Sequence, residues 1–205
     1  MDLESAEKSD FDISYNTSSG IFAAMWVIPY HLGLPNALLP SQLSQYSIHD
    51  NNFVGTESEG MLFIDGPAKP WIQAAALKNT IELQNTLLEG IGVINTKGTV
   101  ILNNTITGSD GFDAIGLYNS SQDTVIGNNV NGFTVDPTEG LAQIFLDSLT
   151  TSDIIVCSSA TDTVLNQGTN NAVIGCAAPG HTPNSVRPTT SKPRFSLPKG
   201  KPQLR

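Results

Sequence analysis

Short apolar runs set the rhythm of this chain. From Thr80 onward, Val- and Ile-rich stretches of three to five residues are closed by Asn, Gly, Ser, Thr or Asp. TVILNN at 99–104 returns as TVIGNN at 124–129, an offset of 25 with five of six identities, and each is followed by a glycine, Gly108 and Gly132. GFDAIGL at 111–117 matches GLAQIFL at 140–146, and GMLFI at 60–64 and GIGVI at 90–94 are looser copies. NNFVG at 51–55 and NTLLEG at 85–90 vary the Asn-x-apolar-x-Gly unit. DTV occurs at 123–125 and 162–164, and 161–175 reads as a last rung.

Branched apolar runs bounded by turn formers predict short buried strands joined by tight turns. Asn and Gly suit those turns because both tolerate left-handed backbone. Only WIQAAAL at 71–77 offers room for a crossover helix. A repeat of this length without helices predicts an all-β stacked solenoid of about five or six coils. Equivalent strands then pair one coil apart, at about 4.8 Å. Asn residues at equivalent turns can stack into a hydrogen-bonded ladder that satisfies buried backbone groups.

The units around Asn103–Asn104 and Asn128–Asn129 resemble the repeats of right-handed parallel β-helix proteins, the pectate-lyase-like superfamily. The resemblance covers roughly 11–175 and is clearest after Thr80. It implies a right-handed parallel β-helix as domain 1–176. It does not imply one activity, because that fold carries polysaccharide lyases, hydrolases and epimerases as well as non-catalytic surface proteins. It also implies a secreted or cell-surface setting, although no signal peptide is visible: the chain begins with Asp2, Glu4 and Glu7 rather than a basic segment. Two expectations about extent stay open. The chain is either the C-terminal part of a longer solenoid, or a small solenoid capped by the irregular stretch 20–45.

Charge divides the chain. The stretch 177–205 holds six of the ten basic residues, six of the 12 prolines and no acid. The remainder keeps four lysines against all 19 acidic residues, a charge of −15. Proline at that spacing removes ladder donors, so 177–205 reads as a disordered basic tail able to contact an anionic surface. The acidic body argues against nucleic acid as its partner; polysaccharide as a partner is what the resemblance implies. The most apolar stretch, 20–34, is too short and interrupted to span a membrane.

Candidate chemistry lies in the turn carboxylates. DPTE at 136–139 resembles the Asp-Pro-His-Glu motif of mannuronan C5-epimerases, which implies catalytic roles for Asp136 and Glu139. Thr138 stands where that motif has His, and threonine cannot shuttle a proton near neutral pH. SDGFDA at 109–114 resembles an acidic motif of polygalacturonases and brings in Asp110 and Asp113. Inverting hydrolysis needs carboxyl groups about 6.5–9.5 Å apart, which stacked coils could supply. The companion motifs are absent, and no arginine precedes Arg187 to grip an acidic sugar. Asp110, Asp113 and Asp123 in successive turns are candidate calcium ligands, the cation that could bridge two acidic partners. The alternative is that all are solvated turn carboxylates.

Other signals are weaker. His49–Asp50 reads as a hydrogen-bonded pair, functional or turn-stabilising. Trp26, Tyr30, Tyr46, Trp71 and Tyr118 are candidates for a sugar-stacking platform, or for the core. Cys157 and Cys176 lie 19 apart, close to one coil, and suit either a disulfide or two buried thiols. Of three sequons, at Asn16, Asn103 and Asn119, Asn103 falls in the expected ladder and so is expected to be inaccessible. The primary functional expectation is a non-catalytic glycan-binding or structural module. The alternative is a carbohydrate-active enzyme acting on an acidic polysaccharide, or an incomplete member of such a family.

Overall fold

The computed structural model describes residues 2–3, 10–20, 24–27, 44–57, 59–65, 72–84, 89–108, 113–133, 135 and 142–177. The tail beyond 177 lies outside them, as does most of the stretch 20–45 expected to form a cap. After β1 (Asp2–Leu3), the chain cycles through three strands per coil. The first two cycles are β2 (Asp10–Ser14), β3 (Thr17–Ser19) and β4 (Met25–Val27), then β5 (Ser44–His49), β6 (Asn52–Thr56) and β7 (Met61–Ile64). Next come β8 (Ile72–Leu77), β9 (Thr80–Leu83) and β10 (Ile91–Ile94), then β11 (Val100–Leu102), β12 (Thr105–Thr107) and β13 (Ile115–Tyr118). A fifth cycle is β14 (Thr124–Ile126), β15 (Asn129–Asn131) and β16 (Ile144–Leu146), followed by β17 (Ile154–Val156), β18 (Val164–Asn166) and β19 (Ala172–Ile174).

As far as β17 every third strand joins the same sheet; among the described residues the last coil passes from sheet B to sheet A with no strand in sheet C. Sheet A runs β1-β4-β7-β10-β13-β16-β18, sheet B runs β2-β5-β8-β11-β14-β17-β19, and sheet C runs β3-β6-β9-β12-β15. All pairings are parallel. The molecule is therefore a parallel β-helix of about six coils. The stretch with room for a helix, 71–77, instead contributes β8, whose Ile72, Ala74 and Ala76 point inward and are buried. Period-two burial across three consecutive strands wins over a weak helical propensity here.

The core is a set of inward rows. Ile48, Ala76, Ile101, Val125 and Ile155 stack in sheet B, each almost fully buried. Phe53, Ile81, Ile106 and Val130 form the facing row of sheet C. Met61, Ile91, Ile115 and Ile144 form one row of sheet A.

The register corrects the reading of the repeat. Identity between 99–104 and 124–129 suggests an offset of 25, but Ile101 pairs with Val125 and Leu102 with Ile126, an offset of 24. A one-residue slip would turn Ile126 inward and Val125 outward. Burial decides against the extra identities: Val125 is 1% exposed, whereas Ile126 is half-buried. Asn79 is the ladder equivalent of Asn51, and the second DTV is not the equivalent of the first. Asn51 opens sheet C, whereas Asn85 lies outside the described residues; Asp123 precedes sheet B and Asp162 precedes sheet A.

The asparagine ladder runs along the corner between sheets B and C. Asn51, Asn79, Asn104 and Asn128 stack, each Oδ1 accepting the backbone and side-chain N–H groups of the preceding rung at 2.9–3.1 Å. Each Nδ2 also donates to a strand carbonyl of the coil before, such as Ala76 for Asn104 at 2.8 Å. The residue before each rung is left-handed: Asp50, Lys78, Asn103 and Gly127 have φ between 53° and 67°. Asn104, not Asn103, is thus the ladder residue, and Asn103 points out and is exposed. The sequon asparagine expected to be inaccessible is on the surface.

Candidate functional site

Asp113 is the one proposed catalytic residue that the described structure contains; Asp110, Asp136 and Glu139 lie outside the described residues. Asp113 is fully buried, and its Oδ1 accepts the backbone N–H of Ala142, one coil on, at 3.2 Å. It occupies the corner between sheets C and A, just ahead of β13. Two glutamates occupy the same place in the preceding coils. Gly60 N–H donates to the carbonyl of Glu89, and Gly90 N–H to that of Asp113, so Glu59, Glu89 and Asp113 form successive rungs. Neighbouring rungs are about 4.8 Å apart.

These glutamates reach over the outer face of sheet A. Trp26 Nε1 donates to Glu59 at 3.3 Å, and the Tyr118 hydroxyl donates to Glu89. A Cβ at Gly116 would press on both Glu89 and Tyr118, within 2.9 Å, so glycine there makes room for the pair. Glu59 and Glu89 are 1% and 8% exposed. The sequence held a signal for them, the Glu-Gly dipeptides at 59–60 and 89–90 that open two of the recognised copies. Of the aromatic candidates, Trp26 and Tyr118 stand here, Tyr46 is in the core, and Tyr30 and Trp71 lie outside the described residues.

Asp123, the described partner of Asp113 in the expected calcium set, sits at a different corner. It belongs to a second ladder, between sheets A and B. Its Oδ1 accepts the Thr99 N–H at 2.7 Å; its own N–H donates to Asp153 Oδ1 at 2.8 Å, and Asp153 N–H donates to Asn171 Oδ1 at 2.9 Å. Burial pushes the Asp123 carboxyl up to about 7, with the Asp153 charge adding to it against the Thr99 hydrogen bond. Burial likewise raises Asp153 to about 6. The second oxygen of Asp153 is buried with no hydrogen-bond partner. Among the described residues, no group of three or more His, Cys, Asp or Glu is placed to hold a metal.

His49 is clamped by two carboxylates on the outer face of sheet B. Its Nε2 meets Asp12 at 2.9 Å and its Nδ1 meets Asp50 at 2.8 Å. The Asp50 hydrogen bond raises the imidazole pKa above its ordinary value against the opposing desolvation, with Asp12 adding to the rise. Tyr15, 78% exposed, packs edge-on to His49 with ring centroids 5.9 Å apart. Beside this cluster, a shallow groove of about 410 Å³ is lined by Asp10, Asp12, Gln45, Ser47 and Gln73.

The outer face of sheet C is the most regular surface of the molecule. One row reads Thr17, Asn52, Thr80, Thr105, Asn129. The second reads Ser19, Val54, Glu82, Thr107, Asn131. Eight of these ten side chains are exposed, the exceptions being Val54 and Thr105, which are half-buried. Neighbours repeat at about 4.8 Å along the stack and about 7 Å along each strand. The result is a regular grid of mostly neutral donors and acceptors, interrupted by Val54 and the acidic Glu82, and only the register reveals it.

No family model, curated protein or solved structure matches the chain.

Proposed function

We propose that this chain is a non-catalytic, glycan-binding β-helix module of the pectate-lyase-like kind, working outside the cell. The observation that carries this reading is the Thr/Asn grid on sheet C; the exposed ring of Tyr15 stands at the corner ahead of β3, against His49 of sheet B. An extended glycan presents hydroxyls at repeating intervals. Hydroxyl and amide side chains can both donate to and accept from them. An exposed aromatic ring beside such donors offers the apolar face of a sugar a place to stack. The acidic body and the absence of arginine before residue 187 favour a neutral glycan over an acidic one. The disulfide between Cys157 and Cys176 fits an oxidising compartment.

The test is co-sedimentation with insoluble neutral glucans, mannans and chitin, beside soluble alginate and polygalacturonate as acidic controls. Thr105→Ala combined with Asn129→Ala removes two adjacent hydrogen-bonding side chains of the row at about 1 kcal/mol each, so affinity should fall about tenfold or more. Retention by none of the neutral polymers, or full retention by the double variant, would sink the reading.

A second reading has its own observation. Glu59, Glu89 and Asp113 occupy successive rungs, and Trp26 and Tyr118 bond the two glutamates, so a carbohydrate-active enzyme would draw its acid and base from this buried row once it opened to substrate. Its sign in the same assay is release of soluble oligosaccharide, lost in Glu89→Gln.

A further inference from the structure

Sheet B presents an apolar stripe on its outer face. The register aligns Leu77, Leu102, Ile126, Val156 and Ile174 across five consecutive strands, with Ile154 beside them. None belongs to the core. Ile154 is 45% and Ile174 54% exposed, and the others are half-buried. Outward positions of a solvated strand are ordinarily polar, as sheet C shows. A contiguous apolar surface on an otherwise polar body marks a docking site.

We propose that the chain's own C-terminal segment, through Phe195 and Leu197, docks on this stripe as an intramolecular strap. Three features select it over a second copy. The described chain leaves off at Ala177, three residues beyond Ile174 and bridged to Thr163 at the entry to sheet A, so the segment starts at the same end of the stack as the last residue of the stripe. The 28 residues that follow, 178–205, reach up to about 85 Å when extended, against about 20 Å for four steps between strands. Charge separates the candidates further: two copies at −9 each repel one another, whereas the segment carries six basic residues and no acid. Within it, Phe195 and Leu197 alternate with Arg194 and Ser196, so an extended backbone puts both apolar groups on one side. Asp10, Asp12 and His49-bound Asp50 lie on the same face past the far end of the stripe, where Lys199 and Lys201 can reach them. The inference does not use sheet C and stands apart from the glycan reading.

Trypsin reads the docking directly. Arg187, Lys192 and Lys201 each precede proline and resist cleavage, which leaves Arg194–Phe195 and Lys199–Gly200 as the cleavable bonds of the segment. In the full chain both bonds should be cut at least about 10-fold more slowly than in a free peptide of residues 178–205. Ile126→Lys with Val156→Lys, both at outward positions, should abolish that protection. Phe195→Ser with Leu197→Ser should do the same at Lys199–Gly200, measured against a peptide carrying the same changes. Cleavage of the native chain at the peptide's rate overturns the proposal. So does protection that survives the stripe variant, or protection that grows with protein concentration, the mark of a second copy.

Discussion

Asn104 closes four hydrogen bonds with one side chain: two accepted from Asn79, one donated to Ala76 and one to Asn128. Asn104→Ala would orphan buried donors and acceptors on both sides, at a cost of about 3 kcal/mol or more. Urea unfolding measures it, and a loss below about 1 kcal/mol would show that the ladder is ornamental. At the second ladder the chemistry is acid rather than amide. Asp123 and Asp153 have folded pKa values of about 7 and about 6, raised above the unfolded carboxylate range. The stability they contribute is complete below the unfolded value near 4 and is lost as pH rises through the folded values. Wild-type stability should therefore decline between about pH 4 and pH 7 by an amount on the order of a few kcal/mol from this pair. Asp123→Asn keeps the oxygen that accepts from Thr99 but cannot ionise. Denaturant titrations across that pH range should show the variant gaining on wild type as pH rises; parallel curves would refute the assignment. At this scale the sequence was informative about residue types and less so about position. Asn-rich turns announced a ladder, but Asn103 and Asn104 are indistinguishable until left-handed backbone claims the first and burial the second.

Elements are marked by short buried strands whose ends are set by left-handed turns. The final elements also carry a covalent staple. Cys157 and Cys176, just after β17 and β19, are bonded with Cα atoms 5.2 Å apart. A closed loop with a sequence separation of 19 is worth about 3 kcal/mol in chain entropy, a figure that depends on the model used. Cys157→Ser with Cys176→Ser should destabilise the chain by about that amount. It should also speed amide exchange in β19 well before β14. Uniform exchange along the stack would contradict this. One coil of spacing suggested that the cysteines could meet, and the bond resolves what spacing left open. The repeat also made the strands of sheet A and sheet B visible, with Gly60 and Gly90 correctly matched. It misaligned β11 with β14 by one residue, because identity rewarded turn residues while the core rewarded alternation.

On the scale of the whole molecule, the three faces differ in chemistry: buried acids and aromatics on sheet A, an apolar stripe on sheet B, neutral hydroxyls and amides on sheet C. The sequence by itself determined the class of fold, the turn chemistry and the split between an acidic body and a basic C-terminal stretch. Those properties are local: branched residues favour extended backbone, Asn and Gly favour left-handed turns, and charge is a count. The structure alone decided which side chains share a face. Coils of unequal length bring residues 18 to 36 positions apart into register, and no fixed offset predicts them. Hence Glu59, Glu89 and Asp113 become neighbours, Asp113 and Asp123 part to different corners, and scattered threonines and asparagines line up in rows. Parallel stacking turns a one-dimensional pattern into surfaces, and function in such a molecule is a property of those surfaces.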